Sequence, residues 1–164
     1  MIIKGTALKL MDDINTDYII AGKYTKTLNM DDLASHVFED LDPSIKNNIW
    51  GKVIVAGNNF GCGSSREQAP LAIKHAGATA VVAKSFARIF FRNAINIGLP
   101  VLIAETDNIR DGDELEIDLD SGKITNLVSG KILECSRLPS IMLEILQKGG
   151  LVEYLKEKGE FQIL

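Results

Sequence analysis

Between Gly57 and Glu67 the chain reads Gly-Asn-Asn-Phe-Gly-Cys-Gly-Ser-Ser-Arg-Glu, which sets three glycines, a thiol, two hydroxyls and a guanidinium almost side by side. The apolar run Val53 to Ala56 leads into this stretch, and a helical pattern reaching about Ala76 follows it. A buried strand therefore hands these groups to the start of a helix. Such a place attracts anions. The first amides of a helix lack intrahelical acceptors, the aligned peptide dipoles favour negative charge there, and glycines let backbone approach a ligand. Arg66 adds a planar fork of donors suited to a carboxylate. On residue chemistry alone this is a carboxylate or phosphate site.

Other readings of the same stretch fit less well. A phosphate-cradling P-loop needs a lysine just before the Ser or Thr, and Gly63 stands there instead. Gly61-Cys62-Gly63 resembles the opening of a dinucleotide fingerprint, but Arg66 occupies the place of its third glycine. A structural turn with a capped helix explains Ser64, Ser65 and Glu67, because Ser64 with Glu67, or Ser65 with Gln68, would make a capping box. It does not explain glycines, a thiol and an arginine packed around the hydroxyls.

The elements that must position this stretch follow from pattern. Ile2 to Leu10 alternates as a strand, and Asp12-Asp13-Ile14-Asn15-Thr16-Asp17 is a loop of turn-favouring side chains. A helix is expected from Met30, with Leu33, Ala34, Val37 and Phe38 on one face and Asn29 as its cap, broken at Asp42-Pro43-Ser44. After the glycine-rich loop and its helix come a buried strand at Ala80 to Ala83, a helix at Phe86 to Ile97 and a strand at Val101 to Ala104. Strand–helix–strand–helix–strand at this spacing implies parallel pairing with right-handed crossovers. The last third changes character. Glu114 to Asp118 and Lys123 to Leu127 alternate about an Asp120-Ser121-Gly122 turn, Ile132 to Cys135 is a third short strand, and helices follow at Ser140 and at Leu151 to Lys156. One α/β domain over residues 1–164, with a parallel core and antiparallel additions, is the expected organisation.

Composition bounds the function. A chain of 164 residues with formal net charge −4 carries no basic cluster to neutralise phosphates, so no nucleic-acid partner is expected. No apolar run approaches the roughly 20 residues of a spanning helix, and Met-Ile-Ile-Lys-Gly-Thr does not read as a signal peptide; a cytoplasmic location with no membrane partner is expected. Two thiols, Cys62 and Cys135, are too few for a four-cysteine iron–sulfur cluster or a closed zinc site. Any cluster would need ligands from another chain. His36 and His75 lack companion ligands and read as surface or capping residues, and Arg88 and Arg92 could face a partner or pair with acids.

The segment Asn58 to Glu67 resembles the signature shared by the small subunits of isopropylmalate dehydratase and homoaconitase and the mobile C-terminal domain of aconitase. Asp12 to Asp17 resembles the family's N-terminal loop, Ser85-Phe86-Ala87-Arg88-Ile89-Phe90-Phe91-Arg92-Asn93 its second helix, and Asn96-Ile97-Gly98-Leu99-Pro100 the turn after it. The resemblance runs through nearly the whole chain in order. It implies a three-layer β/β/α swivelling fold and a two-subunit hydro-lyase that removes water from a hydroxy acid and returns it one carbon away. The expected reaction is the interconversion of 2-isopropylmalate and 3-isopropylmalate in leucine biosynthesis. A [4Fe–4S] cluster in a separate large subunit would act as Lewis acid, and this chain would hold no metal of its own.

By the same resemblance Ser64 matches the catalytic base, acting as an alkoxide. Arg66 matches the residue that grips a substrate carboxylate, and Ser65 the hydroxyl beside it. Glu67 reads as structural, and Cys62 as packing without chemistry. Residues 21–30 correspond to a substrate-selecting loop, in which Tyr24 and Leu28 could line an isopropyl pocket while Lys26 could hold an additional carboxylate. That lysine keeps homoaconitase open as an alternative, with a dimethylmalate-type dehydratase beside it. A non-catalytic carboxylate-binding regulatory domain is the alternative from another class.

Overall fold

In the computed structural model, which describes residues 1–159, seven strands form one mixed sheet in the order β4-β3-β2-β1-β5-β6-β7. Strand β1 (Ile2–Lys9) divides it. Its second half, Thr6 to Lys9, pairs in parallel with β2 (Lys52–Val55), while Ile2 to Thr6 pairs antiparallel with β5 (Glu114–Asp118). The hand-over falls beside Gly5, where a Cβ would lie 2.7 Å from the Gly51 carbonyl oxygen, so only glycine admits this close approach. Strands β3 (Ala80–Ala83) and β4 (Val101–Ile103) extend the parallel half, and β6 (Lys123–Asn126) and β7 (Ile132–Glu134) the antiparallel half.

The two halves differ as their patterns require. From Val53 to Val55 and from Ala80 to Ala83 every residue is buried, as expected for parallel strands covered on both faces. In β5 and β6 burial alternates, with Leu115, Ile117, Ile124 and Asn126 inward. The sheet curls until its ends meet: Ala104, just past β4, bridges Cys135, and Ser136 N–H donates to the Ile103 carbonyl at 2.8 Å. The curled halves and the helices make the three layers of an α/β fold with a mostly parallel core and antiparallel additions.

Helices α3 (Gln68–His75) and α4 (Arg88–Asn96) occupy the crossovers. The short α1 (Thr16–Ile19) and α2 (Met30–Ser35) pack on α3, and α5 (Ser140–Gln147) and α6 (Leu151–Lys158) on α4. Lys74 ties this layer together, its ammonium donating to the carbonyls of Ile97 at 2.6 Å and Gly149 at 3.1 Å beyond two helix ends.

Three sequence expectations are corrected. Helix α2 ends at Ser35, before Val37 and Phe38: the backbone leaves helical values at His36 (φ −107°, ψ 7°) and turns left-handed at Phe38 (φ +56°), whose ring is completely buried. Asp12 to Asp17 is not wholly loop, since Asn15 Oδ1 accepts Tyr18 N–H at 2.9 Å and caps α1. Helix α3 starts at Gln68, and no side chain caps it. Neither serine makes the anticipated capping box. Pro70 consequently sits in the first turn, where its missing N–H costs little.

Candidate active site

Two loops are laced together to build the site. Asp12 Oδ1 accepts Asn58 N–H at 2.7 Å, Gly61 N–H donates to the Ile14 carbonyl at 2.7 Å, and Thr16 N–H donates to the Cys62 carbonyl at 2.8 Å. Asn59 takes a left-handed conformation (φ +58°) and its Nδ2 donates to Asp13 Oδ1 at 3.0 Å. Asn tolerates that region better than most residues. Gly61 has φ +81°, and a Cβ there would lie 2.2 Å from the Phe90 ring, so this turn must be glycine.

The lacing brings side chains from distant positions together. Ser64 Oγ lies 3.1 Å from Thr16 Oγ1; Thr16 is buried, while Ser64 and Ser65 are exposed. Arg66 Nη1 donates to Asp17 Oδ1 at 2.6 Å and to the Ile20 carbonyl at 3.3 Å. Gly22 lies against the same guanidinium, at a distance that leaves a Cβ only 3.1 Å from its Nη2. Thr16, Gly61, Gly63, Ser64, Ser65 and Arg66 form one wall of a pocket of about 240 Å³. Ala87, Arg88, Ile89, Phe90 and Asn93 form the other wall.

That second wall is the start of α4. The first bond there is from Phe91 N–H to the Ala87 carbonyl at 3.0 Å, so the amides of Arg88, Ile89 and Phe90 precede the intrahelical ladder. The anion-favouring helix end against the pocket is thus that of α4. The sequence assigned this role to the helix following Ser64 and Ser65, which begins too late to be capped by them. A hydroxyl, a guanidinium and a helix N-terminus around one small pocket can bind a carboxylate and hold negative charge on an oxygen.

The structure brings Ser64, Ser65 and Arg66 together, and adds Thr16, Asp17, Arg88 and Asn93, none of which sequence reasoning placed at the site. The turn-rich character of residues 12–17 and their resemblance to the family's N-terminal loop hinted at the first two, and the resemblance of Ser85 to Asn93 to its second helix at the others. The other named residues lie outside the pocket walls. The Tyr24 ring stacks on His36, with centroids 3.6 Å apart, and Leu28 and Lys26 are exposed. Their segment nevertheless borders the site, through Gly22 against Arg66 and through Gln68 Nε2 donating to the Thr25 carbonyl at 3.3 Å. His75 is exposed at the end of α3, and Arg92 is exposed beside an apolar groove between α4 and α5.

The thiols do not fit a cluster. Cys62 sits in the site loop, whereas Cys135 is buried at the sheet closure, where desolvation pushes its thiol up and makes it a poorer ligand and nucleophile. Among the described residues no three His, Cys, Asp or Glu side chains gather closely enough to hold a metal ion. No described helix is long and apolar enough to cross a membrane.

A model of the aconitase C-terminal domain matches residues 2–106, which contain both laced loops and all of α4. The chain belongs to the aconitase C-terminal domain family. Within that family it is 55% identical over 161 residues to 3-isopropylmalate dehydratase small subunit 2 of Archaeoglobus fulgidus, with 97% of this chain and 98% of the relative covered. It is 54% identical to the methanogen homoaconitase small subunit of Methanocaldococcus jannaschii, with 99% and 96% covered. The crystal structure of 3-isopropylmalate dehydratase (leuD) from the latter organism superposes with a TM-score of 0.92 at 53% identity, over 97% of this chain and 96% of that one. Aconitase X of Thermococcus kodakaraensis shares the fold alone, at a TM-score of 0.52 and 15% identity over 83% of this chain and 91% of that one.

Proposed function

We propose that residues 1–164 are the single-domain small subunit of a two-subunit hydro-lyase that interconverts 2-isopropylmalate and 3-isopropylmalate in leucine biosynthesis. It would act only with a large subunit that carries the [4Fe–4S] cluster. The two unpaired thiols suit the reducing cytoplasm, where we place the enzyme. The single observation that carries the reading is the Ser64 hydroxyl at the mouth of a pocket, 3.1 Å from the buried Thr16 hydroxyl and on the same wall as Arg66.

In this reading Arg66 takes a substrate carboxylate with the donors that its bonds to Asp17 and the Ile20 carbonyl leave free, and Ser65 supplies a neighbouring hydroxyl. Ser64 Oγ removes the proton from the carbon beside that carboxylate and returns it on rehydration. A serine alkoxide is a strong base and needs its charge held. Thr16 Oγ1–H is the donor in place for it, with the α4 N-terminus and Arg66 adding positive potential. The cluster that we assign to the large subunit would supply the Lewis acid for the departing hydroxyl.

Reconstitution with the large subunit tests the assignment. Ser64→Ala should leave assembly on gel filtration intact and lower kcat by about 10²- to 10⁴-fold, the range lost with a general base. Full turnover would overturn the role of Ser64. The isolated chain should be colourless, and cluster-like visible absorbance in it would contradict the division of labour.

Homoaconitase is the second reading. It is favoured by the 54% identity to subunits bearing that name and by Lys26, an exposed cation with no ion-pair partner among the described residues. Lys26→Ala assayed on both substrates separates the two. Collapse of homoaconitate turnover with isopropylmalate turnover untouched would favour the second reading. A dimethylmalate-type dehydratase is tested in the same assay with its own substrate. A purely regulatory carboxylate-binding domain would show no loss on Ser64→Ala.

A further inference from the structure

The segment between α1 and α2 borders Arg66 yet has few anchors of its own. Leu28 is 96% exposed, and Gln68 Nε2 reaches only the Thr25 carbonyl, at 3.3 Å. The firm attachment is one residue earlier. The Tyr24 ring lies flat on the His36 imidazole, with centroids 3.6 Å apart and planes 3° from parallel. His36 is itself held, since its Nδ1 lies 2.5 Å from Glu39 Oε2 and its Nε2 3.7 Å from Asp32 Oδ1. The hydrogen bond to His36 is the main reason the Glu39 carboxyl is held below its ordinary range. The Tyr24 hydroxyl also reaches toward Glu39 Oε1, at 3.5 Å.

Behind this stack the backbone is braced. Val37 and Phe38 are fully buried, and Phe38 N–H donates to the Ile19 carbonyl at 2.8 Å, one residue before the carbonyl that accepts from Arg66. In front of it, the 3-10 turn Gly22–Tyr24 carries Gly22 against the guanidinium. His36, Tyr24 and the 22–24 turn therefore make a packed line that ends beside the guanidinium, which is itself bonded to Asp17 and to the Ile20 carbonyl.

We propose that His36, oriented by Glu39, is a positioning residue that fixes the 22–24 turn through Tyr24 and so aims the Arg66 guanidinium into the pocket. The inference rests on the reading of Arg66 as the carboxylate grip. Neither His36 nor Glu39 touches the pocket. Their effect is on the orientation and mobility of the group that does.

Three variants test it in the reconstituted complex. His36→Ala removes the ring, His36→Phe keeps a flat ring without the bond to Glu39, and Glu39→Gln weakens the orienting bond. His36→Ala should raise KM for 2-isopropylmalate by about tenfold, the scale of a small misplacement of a binding group, with kcat held within about twofold. His36→Phe should recover most of that loss through the ring alone, and Glu39→Gln, which keeps the ring and a polar partner for it, should raise KM no more than His36→Phe does. A merely structural role would lower thermal stability without moving KM. An unchanged KM in His36→Ala, or no recovery in His36→Phe, would overturn the proposal. A second measurement does not depend on turnover. In the full-length chain labelled with ¹⁵N, the heteronuclear NOE of Arg66 Nε should drop in His36→Ala and hold in His36→Phe. An unchanged NOE would sink the proposal even if the wild-type complex dehydrated isopropylmalate. Absence of wild-type turnover, with the NOE falling as expected, would instead strike the functional reading and leave the positioning contact standing.

Discussion

Gly61 is the position at which backbone conformation and packing most directly control the site, and alanine there separates the two contributions. At φ +81° an L side chain pays for the left-handed region, about 1–2 kcal/mol. The new methyl would also lie 2.2 Å from Phe90 Cγ and 2.5 Å from its Cβ, deep inside contact distance. Phe90 is buried and packs edge-on against Phe60 with centroids 5.2 Å apart, so it cannot simply swing away. Overpacking of this kind costs about 1–3 kcal/mol more, for a total of about 2–5 kcal/mol. Gly112 is the matched control. It has φ +85° with nothing within 4 Å of a built Cβ, so Gly112→Ala carries the conformational cost alone. For a chain of this size 1 kcal/mol shifts Tm by about 2–4 °C. Gly61→Ala should therefore melt about 2–12 °C below Gly112→Ala in circular-dichroism scans of the isolated chain. Equal melting temperatures would refute the claim that the Phe90 contact, beyond the turn itself, demands glycine.

Thr16→Val removes the hydroxyl beside Ser64 while keeping the buried shape, so kcat in the reconstituted complex should fall by about 10²-fold, as for loss of one charge-stabilising donor, with KM little changed. Unaltered kcat would mean that Thr16 does not hold the Ser64 oxygen. Arg66→Lys keeps the charge but loses the planar fork that serves Asp17 and a substrate carboxylate together, and KM should rise about tenfold; an unchanged KM would remove Arg66 from the grip. Asp113 is held below its ordinary range first by the backbone N–H of Arg110 and then by the side-chain amide of the buried Asn126. Because its folded pKa is depressed, its stabilisation is complete above the unfolded value of about 3.9 and is lost as pH falls through the lower folded value. Asp113→Asn should therefore unfold at lower denaturant than wild type at pH 7, with the gap closing in strong acid. A gap of equal size at both pH values would contradict that sign.

Much of this architecture was legible in the chain, because local patterns carried it. Continuous apolar runs gave the parallel strands away, since only strands covered on both faces can be apolar at every position, and alternation did the same for the antiparallel half. Glycines marked the ends of α3 and α4 at Gly77 and Gly98, both with positive φ. Ser64, Ser65 and Arg66 stood out because a capped turn explains the two hydroxyls but not the glycines, the thiol and the arginine packed around them.

What the sequence could not disclose depended on contacts between distant segments. Thr16 is 48 residues from Ser64 and Asp17 49 from Arg66, and neither short polar residue carries a periodic signal. The end of α2 was misread because helical spacing at Val37 and Phe38 is a local preference, whereas burial of Phe38 is decided by the core. The pocket's helix end was assigned to α3 from adjacency in the chain, while the crossover and the Phe60–Phe86 bridge bring α4 to it instead. Sequence by itself therefore determined which residues are chemically equipped and which segments are strands or helices, because propensity and patterning act over a few residues. Tertiary structure alone decided which hydroxyl lies beside Ser64, which groups bond Arg66 and which helix end meets the pocket, because those depend on distances that only the folded sheet creates.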